Sequence, residues 1–302
     1  MATREARITV AVPARRPAGP RETTWVELVV DFGRRRTLGA AGAVVILLMM
    51  LAAALAGVIA PHDPYETSFL QQLKPPSGEH WLGTDAFGRD VLSRLIYGAR
   101  TALKIGFGAA VTGASVGALL GVISAYFGGT IDLLLERLMD ILISFPLLIL
   151  ALAVVTALGN TDTNVIVAIT LPIIPRVARV IRASALSIRQ MPYVEAARCL
   201  GASGRRIVLR HMLPNVMAPY LILVTAFLGQ AMLSEAALSF LGLGVAEPTP
   251  AWGLMLRGAS VQFVERAPWL AIAPGLAISL AVFAFNLVGD SLRDALDPRL
   301  RL

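Results

Sequence analysis

The chain is short of charge. Asp, Glu, Lys and Arg make only 16% of its 302 residues, where a soluble domain carries about a quarter. Hydrophobic residues reach 56%, more than one water-facing core of this length absorbs, so the bilayer is the expected solvent. Cysteine is almost absent: the single Cys199 excludes an internal disulfide and a cysteine-based zinc site within the chain. Lysine is nearly missing too. A phosphate-binding Gly-Lys-Ser/Thr loop needs a lysine after glycine, and the only two, Lys74 and Lys104, each follow a leucine. Any ATP hydrolysis must then come from another chain. The histidines His62, His80 and His211 lie far apart and form no His-Glu-x-x-His pair. They read as loop histidines, with no metal site expected. A membrane-embedded enzyme has little here to work with.

What the chain does have is long apolar runs. From Leu38 to Ala60 every residue is Ala, Gly, Val, Ile, Leu or Met. As a helix these 23 residues reach about 34 Å, enough for a hydrocarbon core of about 30 Å. The run is too long and too far from the start for a signal peptide. Pro61-His62-Asp63-Pro64 ends it, because proline cannot continue the hydrogen-bond ladder. Further spans are expected at about Ile105–Phe127, Leu133–Leu158 with a kink at Pro146, Val216–Phe240 and Trp269–Val288. The fourth span is the least regular. Only Val165 to Ile174 is continuously apolar before Arg176, Arg179 and Arg182 recur at spacing three. A helix with snorkelling arginines and a re-entrant segment both fit.

The expected fold is thus an all-α polytopic membrane protein with six transmembrane helices. It divides into a polar arm at 1–36, a first transmembrane helix at 37–60 and an extramembrane segment at 61–100. A transmembrane core follows at 101–290, with a basic loop at 184–215, and then a tail at 291–302. The arm, the 176–210 stretch and the tail together hold nineteen Lys and Arg, and the opposite face holds six. That asymmetry orients both termini to the cytoplasm. It also accounts for the net charge of +7 without invoking nucleic acid.

Two features inside the spans have physical readings. Glu136, Arg137 and Asp140 sit near the start of the third span, where acids complement the positive end of a helix. Gly113, Gly117 and Gly121 recur at spacing four, which makes a groove where another helix backbone can approach, in this chain or another.

The basic loop is the most specific stretch. It reads Glu195-Ala196-Ala197-Arg198-Cys199-Leu200-Gly201, and nine residues then precede His211-Met212-Leu213-Pro214. A short helix over Tyr193–Leu200 with small alanines outward, a bend at Gly201 and a second short helix at Ser203–His211 suit docking into a groove of a soluble partner. This stretch resembles the Glu-Ala-Ala loop of prokaryotic ABC importer permeases, with Glu195, Ala196, Ala197, Gly201, Leu213 and Pro214 matching and His211 standing where the pattern has Ile. A second Glu-Ala-Ala at Glu235–Ala237 lacks the downstream spacing.

Leu82-Gly83-Thr84-Asp85-Ala86-Phe87-Gly88-Arg89-Asp90-Val91-Leu92-Ser93-Arg94 is similar to a periplasmic signature of the C-type subunit in the dipeptide, oligopeptide and nickel branch. So are Leu238–Gly244 with Pro248-x-Pro250-Ala251-Trp252-Gly253, and the tail from Asp290. The resemblance covers about residues 35–300. It implies a type I importer permease fold, a B-type permease partner, two ATP-binding subunits that carry ATP and Mg, and a periplasmic substrate-binding protein. It implies no cofactor on this chain, and a cargo among dipeptides, longer peptides, glutathione-like thiols and nickel.

Overall fold

Helices dominate the computed structural model, which describes residues 37–260, 263 and 265–296. The arm at 1–36 and the end of the tail at 297–302 lie outside the described residues. Helix α1 (Thr37–Ala54) is followed by one more turn at Ala56–Ile59 before Pro61. It carries no charge and leaves Val44, Leu47 and Leu48 exposed, as a helix bathed in lipid does.

Helix α2 spans Val91–Phe127, so the expected second span is longer and takes in the end of the 61–100 segment. Asp90 starts it: its carboxylate accepts from the Ser93 amide at 2.7 Å. The cations of its first half find partners distant in sequence. Arg94 donates to the Pro64 carbonyl at 3.0 Å, Arg100 to the Ala53 carbonyl at 2.9 Å, and Lys104 pairs with Asp162 at 2.7 Å.

The expected third span is two helices, α3 (Gly129–Ser144) and α4 (Leu147–Leu158), which meet at 92° across Phe145-Pro146. Pro146 does more than kink the helix, because its ring and missing N–H stop the ladder altogether. Helix α5 (Asp162–Arg189) is continuous through Pro172 and Pro175, which rules against the re-entrant alternative. After the loop helices α6 (Pro192–Cys199) and α7 (Gly204–Ile207) come α8 (Met217–Phe240) and α9 (Trp252–Ser260). The stretch that follows Trp252 is therefore helical. Helix α10 runs Trp269–Leu296, so residues 291–296 of the expected tail continue the last span. Among the described residues, five helices are long and apolar enough to cross a bilayer alone; α3 and α4 make a sixth span only when taken together.

Helices α2 and α5 form the central pair. Helix α8 packs on α2 and α10, and α1 lies against α10. The glycine stripe explains the central pairing. A Cβ on Gly117 would sit 2.6 Å from the Ile174 carbonyl oxygen and 2.8 Å from Val177 Cβ; one on Gly113 would sit 2.8 Å from Ile173 Cγ2. The helix that approaches the groove thus belongs to this chain. Gly117→Val puts branched bulk against backbone that cannot yield, and is expected to cost on the order of 1–3 kcal/mol. A thermal melt in detergent measures it, and an unshifted midpoint would remove the stripe from the packing argument.

The acids of α3 do not act as helix-end charges alone. Arg182 of α5 donates from Nε and Nη2 to the two oxygens of Asp132, each at 2.6 Å, and lies 3.5 Å from Glu136. Arg179 donates to Asp140. The correction has a geometric reason: α3 begins at Gly129, so Glu136 and Asp140 stand beyond its first turn, where the dipole effect has decayed. The forked pairing with Asp132 offsets the charge of Arg182 within the apolar surroundings of α5.

Candidate functional site

Two assemblies lie at opposite ends of α2, which at 37 residues is about 55 Å long. Near Tyr126, at its C-terminal end, sits the loop that joins α5 to α8. Proline at N1 starts α6, and Val194, fully buried, anchors it to the core. Glu195, Ala196, Arg198 and Cys199 face outward with Ala197 half-buried, and Leu200 is 88% exposed.

Gly201 ends the helix in the left-handed region at φ +78°. Its amide donates to the Arg198 carbonyl at 2.9 Å, and the Ala202 amide to the Ala197 carbonyl at 3.0 Å. These two bonds together are a Schellman cap. An added Cβ on Gly201 would touch nothing within 4 Å, so backbone conformation alone asks for glycine there.

Helix α7 and the π turn Val208–Met212 seat the rest of the loop, burying Ile207 and Met212 in the main core. A side chain on Gly204 would overlap the Tyr126 hydroxyl, so the loop rests directly on the end of α2. His211 is half-buried beside the Tyr193 ring, 6.0 Å between centroids, and Met212 supplies the apolar anchor. Leu213 is half-buried and Pro214 exposed just ahead of α8. The later Glu-Ala-Ala lies elsewhere: Glu235 is buried inside α8 and accepts from Ser239 Oγ at 2.7 Å.

At the other end, the 83–90 stretch folds back on itself. Gly83 and Gly88 both take φ +74°, and a Cβ on Gly83 would meet the Lys74 carbonyl at 2.6 Å and Trp269 Nε1 at 2.7 Å. Thr84 is fully buried and accepts from the Lys74 amide at 2.9 Å. Asp85 accepts from the Phe87 and Arg89 amides at 2.8 and 2.9 Å, and from Arg89 Nε at 2.6 Å. Asp90 caps α2. These residues thus bond chiefly to one another and to neighbouring backbone.

Sequence reading placed Arg94 and Trp252 in family-like stretches but not the contacts by which they tie this cap to the chain's later part. Arg94, 2% exposed, donates to the carbonyls of Pro64 and Pro248. Trp252 Nε1 donates to the Leu95 carbonyl at 2.9 Å, and Thr101 Oγ1 to the Pro250 carbonyl at 2.8 Å. The two motifs mark the residues, but nothing local in them names the carbonyls that accept. His62 and His80 also meet here, with ring centroids 4.6 Å apart.

Ser115, between Gly113 and Gly117 of the stripe, lies inside α2, and its Oγ is hydrogen-bonded to the Tyr220 hydroxyl at 2.8 Å.

The comparisons with known proteins agree with this layout. Residues 33–76 match the N-terminal TM domain of oligopeptide transport permease C. The chain is similar to the dipeptide transport system permease protein of Alkalihalophilus pseudofirmus, 45% identical over 78% of this chain and 77% of that one. It is also similar to a glutathione transport system permease protein of Escherichia coli, 42% identical over 96% of this chain and 95% of the relative. Residues 117–302, which take in α5, the loop and α8–α10, match the inner membrane component of binding-protein-dependent transport systems, and the chain belongs to that family of multi-pass inner-membrane permeases.

Proposed function

We propose that this chain is the C-type permease subunit of an ATP-driven importer of di- or oligopeptides. A B-type permease lies beside it and completes the pathway. Two ATP-binding subunits, which carry ATP and Mg, dock on the 192–212 loop from the cytoplasm. A periplasmic substrate-binding protein delivers cargo to the 61–100 and 241–267 segments. The observation that carries this reading is the build of α6: buried on one side through Val194, it presents Glu195, Ala196 and Leu200 outward on a closed Schellman cap. Such a helix transmits force as a rigid body. Ile207 and Met212 pass it into the core, and Gly204 passes it to Tyr126 at the end of α2.

Closure of the ATP-binding subunits then favours one of two arrangements of the spans, through differential contact with each. Peptide cargo is favoured over nickel because the relatives named above carry a dipeptide and glutathione, itself a tripeptide. Purification from detergent tests the assembly: a Walker-motif ATPase and a second permease are expected to co-purify. In vesicles, labelled dipeptide uptake is expected only with ATP and the binding protein present. Uptake by this chain alone, driven by an ion gradient, would overturn the reading.

A further inference from the structure

The segment between α1 and α2 holds a donor set that the transport reading does not use. His62, His80 and Asp90 place their ligand atoms within 4.8 Å of one another. His80 and Asp90 are 4% and 2% exposed, and His62 is half-buried. His80 Nδ1 lies 2.9 Å from Asp90 Oδ1, and His62 Nδ1 lies 3.8 Å from the same oxygen. Tetrahedral bonds of about 2.0–2.1 Å put neighbouring ligand atoms roughly 3.3 Å apart. The observed spacings straddle that value.

The hydrogen bonds around the cluster point the same way. His80 Nε2 lies 2.9 Å from Gln71 Oε1, a contact that suits the proton on Nε2 and leaves Nδ1 free to ligate. Nδ1 and Asp90 Oδ1, 2.9 Å apart, then turn lone pairs toward one point, as two ligands of a shared cation do. His62 Nδ1 is buried and has no hydrogen-bond partner, which leaves a third donor atom free at the same place. The remaining oxygen of Asp90 accepts from the Ser93 amide and hydroxyl, both at 2.7 Å. That orientation and the Gln71 contact are the outer-shell supports that metal-bound histidine and carboxylate ordinarily have. A pocket of about 150 Å³ adjoins the cluster and is lined also by Asp63, Glu66 and Glu79, whose charge favours cations.

We propose that His62, His80 and Asp90 bind a divalent transition-metal ion of the Zn2+ class, leaving a fourth position open to the pocket. Two imidazoles and one carboxylate suit zinc and its neighbours; calcium and magnesium take oxygen donors instead. The ion fastens the residue after α1 to the first turn of α2 and to the 71–80 loop between them.

The test uses the full chain in its detergent-purified complex, tag removed, with Cys199→Ser and His211→Ala to delete other donors. Equilibrium dialysis against Zn2+ is expected to leave one ion per chain, and Zn2+ to raise the melting temperature. His62→Ala is the informative variant, since its Nδ1 supports no hydrogen bond. It is expected to weaken zinc binding by at least about tenfold, and Gln71→Leu by about 10–100-fold. His80→Ala and Asp90→Ala are expected to abolish it. Absence of bound zinc in the unaltered cluster would overturn the proposal and leave a proton as the bridge. So would stoichiometric zinc that survives His62→Ala.

Discussion

Gly201→Pro is expected to abolish peptide uptake, by at least about tenfold, while the subunit still inserts and co-purifies with its partners. Proline cannot adopt φ +78°, and it lacks the N–H that closes the first bond of the α6 cap. A graded series separates this cause from general unfolding. Asn tolerates the left-handed region and is expected to keep most activity. Ala pays about 1–2 kcal/mol there but meets no neighbour, so it is expected to be intermediate. Val is expected to behave like Pro, because β-branched residues are outliers at positive φ. The exposed charge at Glu195 gives an independent arm: Glu195→Lys leaves the core untouched and is expected to lose uptake through the docking surface alone. Normal transport in both Gly201→Pro and Glu195→Lys, at normal expression, would falsify the coupling assignment.

The second large effect is expected at Arg94. This guanidinium is 2% exposed and holds the Pro64 and Pro248 carbonyls at 3.0 and 3.4 Å, with Asp85 Oδ2 at 3.8 Å. It therefore clamps the turn after α1 and the loop after α8 onto the first turn of α2. Arg94→Ala leaves two carbonyls without their donor, each at about 1–3 kcal/mol, and opens a cavity. A loss of roughly 2–5 kcal/mol is expected, read as a lowered thermal midpoint in detergent. Both carbonyls accept from the one Nη1, so Arg94→Lys keeps the charge and the donors, but on a more flexible stem without the planar guanidinium that fills the site. It is expected to recover only part of the loss. An unshifted midpoint for Arg94→Ala would show that Trp252 and Thr101 hold the loops unaided.

Both residues illustrate how unevenly the site was legible. Gly201 could be read because its requirement is local: a helix that stops within one turn of an Ala-Ala face needs a residue free to take positive φ. Arg94 could not, because its partners are carbonyls at Pro64 and Pro248, thirty and 154 residues away. The same holds for Glu136 and Asp140. The sequence suggested a helix start for both; the fold puts them beyond the first turn, beside Arg182 and Arg179, only once α3 lies across α5. The histidines are a sharper instance. Separation along the chain argued against a shared site, and the cap at 83–90 brings His80 beside His62 regardless.

The amino-acid sequence by itself determined the class of molecule, the order of its apolar segments, the helical loop at 192–212 and the lack of a Gly-Lys-Ser/Thr loop. Each of these follows from properties that act over a few residues: apolar run length, proline and glycine as breakers, and the spacing of a motif. The tertiary structure alone decided that Pro146 breaks a span at 92°, that α5 stays helical through two prolines, and that the glycine stripe of α2 receives α5 of the same chain. Those outcomes depend on what each backbone group and charge finds opposite it across a helix interface, and no local pattern encodes the partner. The low charge content noted first follows the same division. Scarcity of charge identified the bilayer as solvent, and the fold then set where Arg94, Arg179 and Arg182 find their acceptors.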